Sequence, residues 1–319
     1  MYDIVALGEL LIDFTESGRS TNGMKLFEQN PGGAVANVLA AAAKCGRKTA
    51  FIGKVGTDMH GLFLKRTLEA AGIETTGLVL AEDVFTTLAF VALSPEGERA
   101  FSFARKPGAD TQLRGEEIDP GLLSATRVLH VGSLSLTDEP AKSATYSALE
   151  TAKKGGAMIS YDPNYRASLW PTESIAKDRM RSIIPYADVM KLSDSETGLL
   201  TDEAEPEAAA LALQEKGVAC VAVTLGGKGA LVCVENRTAY VAGYPVPVVD
   251  TTGAGDAFWG GFLHKLLESG KHPGELSIKE ACACAAWGNA TAALCIQKRG
   301  AMPAMPHPAQ VRELLLATD

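Results

Sequence analysis

The sequence predicts an α/β fold in which helices flank a mainly parallel central sheet and a small second sheet is attached to it. Apolar runs of strand length alternate with amphipathic or Ala-rich runs of helix length through most of the 319 residues. The alternation breaks at 86–105, where two short strands flank a Pro-Glu-Gly-Glu turn. This hairpin, together with the segment after Glu9, predicts the small sheet as a subdomain formed from about 10–30 and 84–106.

Each element is predicted from its local pattern. The predicted strands are 4–8, 10–14, 51–55, 86–94, 99–105, 128–131, 157–161, 189–192, 218–225, 230–234 and 240–249. The predicted helices are 34–45, 61–71, 139–154, 278–294 and one that begins near Ala254. We find no tandem repeat and no low-complexity linker, so residues 1–319 are expected to form one domain.

Composition limits the kind of partner. The chain is 46% hydrophobic, which is ample for a large core, and its 30 Lys and Arg against 38 Asp and Glu give a net charge of −8. This balance argues against a general nucleic-acid or membrane-surface binder. No apolar run approaches the roughly 18 residues of a membrane span, and residues 1–5 indicate a strand rather than a cleavable leader. Six cysteines without metal-ligand spacing indicate buried free thiols, and we expect a cytoplasmic protein.

The stretch Asp250–Asp256, which reads Asp-Thr-Thr-Gly-Ala-Gly-Asp, predicts the start of a helix that faces an anion. Phe258, Phe262 and Leu266 recur every four residues and bury one face of that helix, which holds its first turn in place. Small residues at 253–255 leave backbone N–H groups uncovered at the positive end of the helix dipole. A phosphate group would satisfy both the N–H groups and the dipole.

Asp256 is unexpected beside an anion, because a plain phosphate site gains nothing from a second negative charge. Its carboxylate could take the proton of a hydroxyl that attacks a terminal phosphate, while the N–H groups of 253–256 stabilise the transferring group. The alternative is structural, since the helix dipole favours an acidic residue in the first turn. The local pattern by itself leaves both interpretations open.

Polar residues follow predicted strands at the edge where open α/β sheets bind ligands. Asp13 comes after the first strand, and Asn164 with Arg166 follows a later strand in a Pro-containing turn. Asn37 lies in the first turns of an Ala-rich helix behind the pair Gly32-Gly33, where its amide can recognise a hydroxyl. Structural alternatives stay open, namely an edge-strand charge for Asp13 and a solvent-facing position for Asn37.

Three further patterns have ordinary structural interpretations. Arg105 lies where the hairpin returns to the main domain, and a solvated loop explains its charge. Ser193 and Glu196 have the spacing of a capping box. The turn 226–229 is Gly-Gly-Lys-Gly, which can admit phosphate or ribose but in most proteins only joins two strands. Glu196 gains a functional meaning only if it lies near a metal-bound phosphate.

Taken in order, these motifs resemble those of the ribokinase-like carbohydrate kinases, and the resemblance runs nearly end to end. The segments 30–37, 103–110 and 162–166 are most similar to the bacterial fructokinases within that family. The stretch 250–256 is highly specific for the family, whereas no P-loop and no protein-kinase motif set is present. The resemblance implies a ribokinase-like fold, with the small sheet as a lid, and ATP-dependent phosphorylation of a sugar.

The resemblance also implies which residues form the site. Asp256 is the expected catalytic base, and the backbone of Gly253, Ala254, Gly255 and Asp256 is the expected anion hole. The expected sugar-binding residues are Asp13, Gly32, Gly33, Asn37, Arg105, Asn164, Arg166 and Asp256. The expected ATP-binding residues are Ser193, Thr224, Gly226, Gly227, Gly229, Gly255 and Asn289.

The same resemblance implies two metal ions. Glu196 matches the acid of the family's Asn-x-x-Glu motif, which is linked to Mg²⁺ and phosphate, although Ser193 replaces the Asn here. Mg²⁺ keeps several waters and takes other oxygens from phosphates, so it requires few carboxylates. Members of the family often bind K⁺; the matching positions, at which K⁺ binding stays open, are Asp250, Thr252, Cys295 and Gly300. Because proton removal can be late in phosphoryl transfer, a base with a low pKa would suffice.

The sequence therefore predicts an ATP-dependent fructokinase that makes fructose 6-phosphate and forms a homodimer through the small sheet. A kinase for 2-keto-3-deoxygluconate or another sugar is the nearest alternative, because the Asp-Pro-Asn-Tyr-Arg segment suits both. A regulator that binds sugar and nucleotide without turnover is an alternative of a different class, and the presence of Asp256 argues against it. No nucleic-acid or membrane partner is expected.

Overall fold

The computed structural model describes residues 1–93 and 99–317. Its strands are β1 Tyr2–Leu7, β2 Leu11–Arg19, β3 Lys25–Gly32, β4 Thr49–Gly56, β5 Ile73–Ala81, β6 Leu88–Leu93, β7 Arg99–Ala104, β8 Thr126–Val131, β9 Met158–Tyr161, β10 Val189–Ser193, β11 Cys220–Thr224, β12 Gly229–Val234 and β13 Arg237–Ala242. Its helices are α1 Ala34–Lys44, α2 Met59–Ala70, α3 Pro120–Ser124, α4 Ala141–Lys154, α5 Glu173–Arg181, α6 Thr197–Thr201, α7 Pro206–Glu215, α8 Ala254–Ser269, α9 Ile278–Cys295 and α10 Pro308–Leu316.

The main sheet has nine strands in the order β13-β12-β11-β10-β9-β8-β1-β4-β5. Neighbours from β11 to β5 pair in parallel, and β12 pairs antiparallel with β11 and β13. Strand β1 is internal, since Ile4 pairs with Thr49 on one side and Val128 on the other. The predicted mainly parallel sheet is confirmed. Its parallel strands end at a common edge, where the loops that follow them meet.

The small sheet has the order β3-β2-β6-β7. Strands β2 and β6 pair in parallel, and the two outer pairs are antiparallel. The predicted hairpin is therefore present as β6 and β7, while its turn at 95–98 lies outside the described residues. The segment after Glu9 joins this hairpin as predicted, because Asp13 on β2 pairs with Asn30 on β3 and Ala89 on β6.

The structure differs from the prediction at three strands. Strand β3 was not expected, because the first half of the strand is exposed, it ends in Pro31-Gly32, and it is ordered by pairing with β2. Strand β5 was also missed; it begins directly after Gly72 and pairs along β4. The strand predicted over 240–249 ends at Ala242, since Pro245 and Pro247 cannot donate backbone hydrogen bonds.

Two apolar layers cover the main sheet. Along β1, Ile4 and Ala6 face a layer with α1, α8 and α9, whereas Val5 and Leu7 face a layer with α4, α5 and α7. The alternation follows from the two-residue period of a strand. The predicted stripe Phe258, Phe262 and Leu266 is buried in the first layer. Burial of each such side chain contributes about 1.5–3 kcal/mol, so the N-terminus of α8 is held firmly at the edge of the sheet.

Two expectations about composition can be compared with the described residues. All six cysteines are unpaired; Cys220, Cys233, Cys284 and Cys295 are buried, whereas Cys45 and Cys282 are partly buried. Among residues 1–93 and 99–317, none of the helices has the combination of length and apolar character required to cross a bilayer.

Candidate active site

A cavity of about 640 Å³ lies between the two sheets and the N-terminus of α8. The small sheet contributes Leu11, Asp13, Thr15, Val91 and Phe103 to its wall. The predicted site residues that line it are Asp13, Gly33, Asn37, Asn164, Arg166, Ser193, Glu196, Thr252, Gly253, Ala254, Gly255 and Asp256. The fold thus brings three predicted carboxylates, two of the predicted amides and the glycine-rich helix start into one concave space.

The first turn of α8 forms one end of the cavity. Gly253 precedes the helix with φ 74°, a left-handed conformation that favours glycine. The N–H of Ala254 donates to the carbonyl of Thr251 at 3.2 Å. The N–H groups of Gly255 and Asp256 have no acceptor four residues back within the helix, because they lie in its first turn. These two groups are the best-placed anion donors of the predicted set 253–256.

The carboxylate of Asp256 is buried and held by two amides. Asn37 donates from Nδ2 to Asp256 Oδ2 at 2.7 Å, and Asn164 donates from Nδ2 to Oδ1 at 3.2 Å. Only 7% of Asp256 is exposed. Burial, with the nearby charge of Asp162, raises the pKa of Asp256 to about 6, against the opposing effects of Lys191 and of Asn37. Burial therefore outweighs the neighbours that favour the anion, so the pKa of this base lies above the low value that would suffice for it.

Two carboxylates fix the turn that carries Asn164. Asp162 Oδ1 accepts from the N–H of Asn164 at 3.2 Å, and Glu196 Oε1 accepts from the N–H of Tyr165 at 2.7 Å. Asn164 has φ 46°, a left-handed conformation that Asn tolerates better than most residues. Arg166 follows at the exposed rim of the cavity. The turn therefore has a purpose beyond reversing the chain, which is to present the Asn164 amide to Asp256.

The capping box at Ser193 and Glu196 is confirmed. Glu196 Oε2 accepts from the N–H of Ser193 at 2.7 Å and from its Oγ at 2.8 Å. With Oε1 bound to Tyr165, both carboxylate oxygens have protein partners. Glu196 therefore holds two loops together while its charge lies at the cavity wall.

Asp13 and Gly32 lie side by side on the small sheet. Asp13 is on β2 and Gly32 ends β3, and a Cβ at Gly32 would lie 2.2 Å from Asp13 Oδ2. The absence of a side chain at Gly32 leaves room for the Asp13 carboxylate in this position. Gly33 follows as the residue before α1.

Glu9 is a carboxylate of the cavity wall that is not among the predicted site residues. It is buried, and its Oε1 accepts from the N–H of Ala34 at 2.7 Å at the start of α1. Its Oε2 is buried without a hydrogen-bond partner in the described residues. Burial raises the pKa of Glu9 to about 7, despite the backbone hydrogen bonds that lower it.

Arg105 directly follows β7 and is buried, but it does not line the cavity wall. Its Nε donates to Asp110 Oδ2 at 2.8 Å, its Nη1 to Thr137 Oγ1 at 2.8 Å and its Nη2 to the carbonyl of Leu134 at 2.9 Å. The solvated-loop interpretation is therefore wrong, because the guanidinium is enclosed and paired with Asp110. Its expected contact with a sugar stays a prediction.

The family model for the pfkB carbohydrate kinases matches residues 1–308. The chain belongs to the pfkB family of carbohydrate kinases. It is 41% identical over 319 residues to "Probable fructokinase-5" of Arabidopsis thaliana, covering 98% of this chain and 97% of that one. The crystal structure of a Xylella fastidiosa fructokinase with bound ATP is 31% identical, with a TM-score of 0.91 and coverage of 100% and 99%. A double-mutant Vibrio cholerae O395 fructokinase with fructose, ADP and potassium is 32% identical, with a TM-score of 0.88 and 98% coverage of each chain.

Most expected ATP-binding residues of this pfkB-family kinase lie beyond the cavity wall. Those outside it are Thr224, Gly226, Gly227, Gly229 and Asn289. The turn that begins at Gly226 leads from β11 into β12, as its hairpin interpretation predicted. Asn289 on α9 donates from Nδ2 to the carbonyls of Val241 and Ala242 at 3.0 and 3.1 Å, which ties α9 to β13. Their contact with a nucleotide stays a prediction.

Three of the four expected potassium positions of the kinase are connected through one carboxylate. Asp250 Oδ1 accepts from the N–H and the Oγ1 of Thr252 at 3.0 and 2.7 Å, and its Oδ2 accepts from the N–H of Gly300 at 3.0 Å. Cys295 is buried nearby; burial, reinforced by the charges of Asp256 and Asp250, raises the pKa of its thiol to about 12. The four expected positions therefore lie in one region beside α8.

Lys191 is a cavity residue that the sequence analysis did not identify. It lies on β10, is buried, and donates from Nζ to Asp162 Oδ2 at 2.8 Å. Burial alone would lower its pKa, but attraction to Asp162 and Glu196 raises it above the ordinary value. The available signal was a single Lys in the apolar strand Val-Met-Lys-Leu, because a charge in a buried strand requires a partner.

Proposed function

We propose that this pfkB-family kinase is a fructokinase, which transfers the γ-phosphoryl group of ATP to a hydroxyl of fructose and releases fructose 6-phosphate and ADP. The observation that carries the proposal is the position of Asp256, whose buried carboxylate lies in the cavity wall at the first turn of α8. The choice of fructose is supported by the fructokinase relatives, whose similarity extends over nearly the whole chain.

In this mechanism Asp256 accepts the proton of the attacking hydroxyl. A new bond forms between the sugar oxygen and the γ-phosphorus, and the bond from that phosphorus to the bridging oxygen of ADP breaks. The N–H groups of Gly255 and Asp256 stabilise negative charge on the transferring group. Asn37 and Asn164 hold the two oxygens of Asp256, so the carboxylate meets the hydroxyl without first having to reorient.

The sugar-binding side of the site consists of Asp13, Gly32, Gly33, Asn37 and Arg105 in this proposal. Asp13, Gly33 and Asn37 are supported by their place in the cavity wall. Arg105 is supported only by the resemblance, and through Leu134 it positions a loop of that wall. Residues 1–319 act as one kinase domain, and the small sheet acts as a lid that excludes water from the reacting phosphoryl group.

Magnesium is proposed as the metal that accompanies ATP. Among the described residues there is no cluster of three His, Cys, Asp or Glu side chains that could hold a metal. This fits an ion held mainly by phosphate oxygens and water. Glu196, whose oxygens already have protein partners, would act on it through water. When bound, Mg²⁺ neutralises charge on the phosphates.

A potassium site beside α8 is also proposed. The carboxylate of Asp250 and the hydroxyl of Thr252 offer oxygen atoms, and Cys295 and Gly300 would contribute from their backbone. The hydrogen bonds that join Asp250, Thr252 and Gly300 support the grouping. Bound K⁺ would stabilise the turn that leads into the anion hole.

The nucleotide lies along Ser193, Thr224, Gly226, Gly227, Gly229, Gly255 and Asn289 in this proposal.

A homodimer through the small sheet is supported by aromatic side chains on its outer face. Phe90 stacks on Phe14 with ring centroids 5.3 Å apart and meets Phe27 edge-on at 6.2 Å. Phe27 and Phe90 remain 41% and 39% exposed in the single chain. We place the enzyme in the cytoplasm, a compartment that suits its unpaired cysteines, without a nucleic-acid or membrane partner.

A sugar panel tests the proposal. The purified kinase, with Mg²⁺ and ATP, is offered fructose, 2-keto-3-deoxygluconate and ribose in turn, ADP release is followed, and the product is identified by ³¹P NMR. We expect the highest kcat/KM with fructose. A much higher kcat/KM with 2-keto-3-deoxygluconate would replace fructose as the substrate, and nucleotide binding without turnover of any sugar would indicate a regulator.

A further inference from the structure

The ion pair between Lys191 and Asp162 is buried beside the first turn of α8. The side chains are 6% and 2% exposed, and Nζ lies 2.8 Å from Oδ2. A buried ion pair contributes little net stability, because desolvation of two charges offsets their attraction. Stability therefore does not explain why this pair is buried here. Lys191 also contributes to the cavity wall, which points to a functional role.

The Lys191 ammonium lies close to Gly255 in the first turn of α8. A Cβ built on Gly255 would lie 3.0 Å from Lys191 Nζ and 3.6 Å from its Cε. The ammonium is therefore packed against the backbone whose N–H groups are the best-placed anion donors. Any anion that those N–H groups bind would also lie beside a positive charge that has been removed from water.

The Lys191 ammonium has N–H groups that can donate to such an anion. The bond to Asp162 occupies one of the three N–H groups of a lysine side chain. Asp162 and Glu196 raise the pKa of Lys191, although burial opposes this, so the side chain carries its charge at neutral pH. The negative charge of Asp256 also attracts this ammonium. A phosphoryl group that enters the site would therefore meet the charges of both Lys191 and Asp256.

We propose that the Lys191 ammonium binds the terminal phosphoryl group of ATP at the first turn of α8, and that Asp162 positions this ammonium. The proposal deepens the proposed kinase function and rests on it. Lys191 supplies the positive charge that the backbone N–H groups lack, as cationic clamps do in other phosphoryl transfers. Asp162 has a second task, since its Oδ1 accepts from the N–H of Asn164 and thereby places the amide that holds Asp256.

Nucleotide affinities separate this role from a structural one. Lys191→Met is compared with the parent for binding of ADP and of the β,γ-imido analogue of ATP, each with Mg²⁺, by titration calorimetry. We expect the affinity for the imido analogue to fall at least about tenfold more than the affinity for ADP, because only the analogue carries the terminal group. Equal losses for both nucleotides, or no loss, would overturn the proposal.

Lys54→Met is the matched control. Lys54 is also a buried strand lysine, 9% exposed and paired with Glu117 at 2.6 Å, but it does not line the cavity. We expect this variant to bind both nucleotides with the parental ratio of affinities. A selective loss of the imido analogue in the control would mean that the effect does not belong to Lys191.

A double variant covers the case in which Lys191→Met does not fold, because that change leaves the Asp162 charge buried without its partner. Asp162→Asn combined with Lys191→Met removes both charges and keeps an oxygen for the Asn164 N–H. The same selective loss is expected, and equal losses of affinity for the two nucleotides, or no loss, would again refute the role. These titrations contain no sugar, so a failed sugar panel and a failed Lys191 test remain distinguishable.

Discussion

Asn37 Nδ2 lies 2.7 Å from Asp256 Oδ2, although 219 positions separate the two residues in the chain. Helix α1 carries the amide, and helix α8 carries the carboxylate. The two helices pack in the same apolar layer, so their N-terminal turns meet at one edge of the main sheet. The hydrogen bond links the expected hydroxyl-binding residue with the proposed base, and it makes the pKa of Asp256 sensitive to residue 37.

Replacement of the proposed base should abolish most of the chemistry. In Asp256→Asn, kcat should fall by roughly 10²–10⁴, because general base catalysis is lost. The affinity for ATP should stay close to parental, since the backbone donors remain. Steady-state kinetics and nucleotide titration provide both values. Asp202→Asn, at an exposed position, should behave as the parent, and a parental kcat in Asp256→Asn would rule out the assigned role.

The pH profile should report the raised pKa of Asp256. The base accepts a proton only when it is ionised, so kcat/KM should decline as the pH falls through about 6 and be level above it. Initial rates between pH 4.5 and 9, at constant ionic strength, give the midpoint. A kcat/KM with no midpoint above about pH 4.5, as a base with the ordinary carboxyl pKa of about 3.9 would give, would contradict the burial argument.

A second carboxylate at residue 37 should move that midpoint upward. In Asn37→Asp the hydrogen-bond donor to Asp256 is replaced by a like charge, which raises the pKa of the pair. The decline in kcat/KM should then begin at a higher pH than in the parent. Asn236→Asp, in an exposed turn, is the control and should leave the profile unchanged. An unshifted midpoint in Asn37→Asp would show that residue 37 does not affect the pKa of Asp256.

Glu9 should make the kinase less stable as the pH rises. Its pKa is raised from 4.5 to about 7 in the folded protein, so the folded state holds the proton more tightly than the unfolded state does. The stability from this proton is present below about pH 4.5 and is lost as the pH rises through about 7, with a total of about 3 kcal/mol.

Glu9→Gln retains an acceptor for the Ala34 N–H but carries no charge. The Tm of this variant relative to the parent should therefore increase between pH 5 and pH 8. Thermal scans at both pH values test this, with the exposed Glu235→Gln as a control whose Tm difference should not change. A Tm difference that is constant with pH would show that Glu9 does not change its charge on folding in this range.

The proposed dimer should depend on the aromatic outer face of the small sheet. Phe27→Asp introduces a charge beside Phe90, where burial against a second copy would require its desolvation. Light scattering should give twice the chain mass for the parent and the single-chain mass for Phe27→Asp. Leu316→Asp, at a position that is 76% exposed on α10, should remain dimeric. A monomeric parent would refute the proposal.

The sequence could predict the features that depend on neighbouring residues. The buried stripe Phe258, Phe262 and Leu266 has a helical period, and the glycine-rich residues before it mark a helix start, so α8 and its anion-facing turn were predictable. The capping box at Glu196 is equally local. Strand β3 was missed because half of its residues are exposed and it is ordered by β2 rather than by an apolar pattern of its own.

The sequence by itself determined the family, the mainly parallel sheet and the position of the proposed base, because periodicity and a specific motif need no knowledge of distant contacts. Only the tertiary structure decided the charge environment of that base. Asn37, Asn164 and Lys191 reach the first turn of α8 from three other elements, and burial there raises the pKa of Asp256. Coulombic attraction depends on the distance between charges, and desolvation depends on how far water is excluded. Neither the distance nor the exclusion of water can be deduced from the order of residues in the sequence.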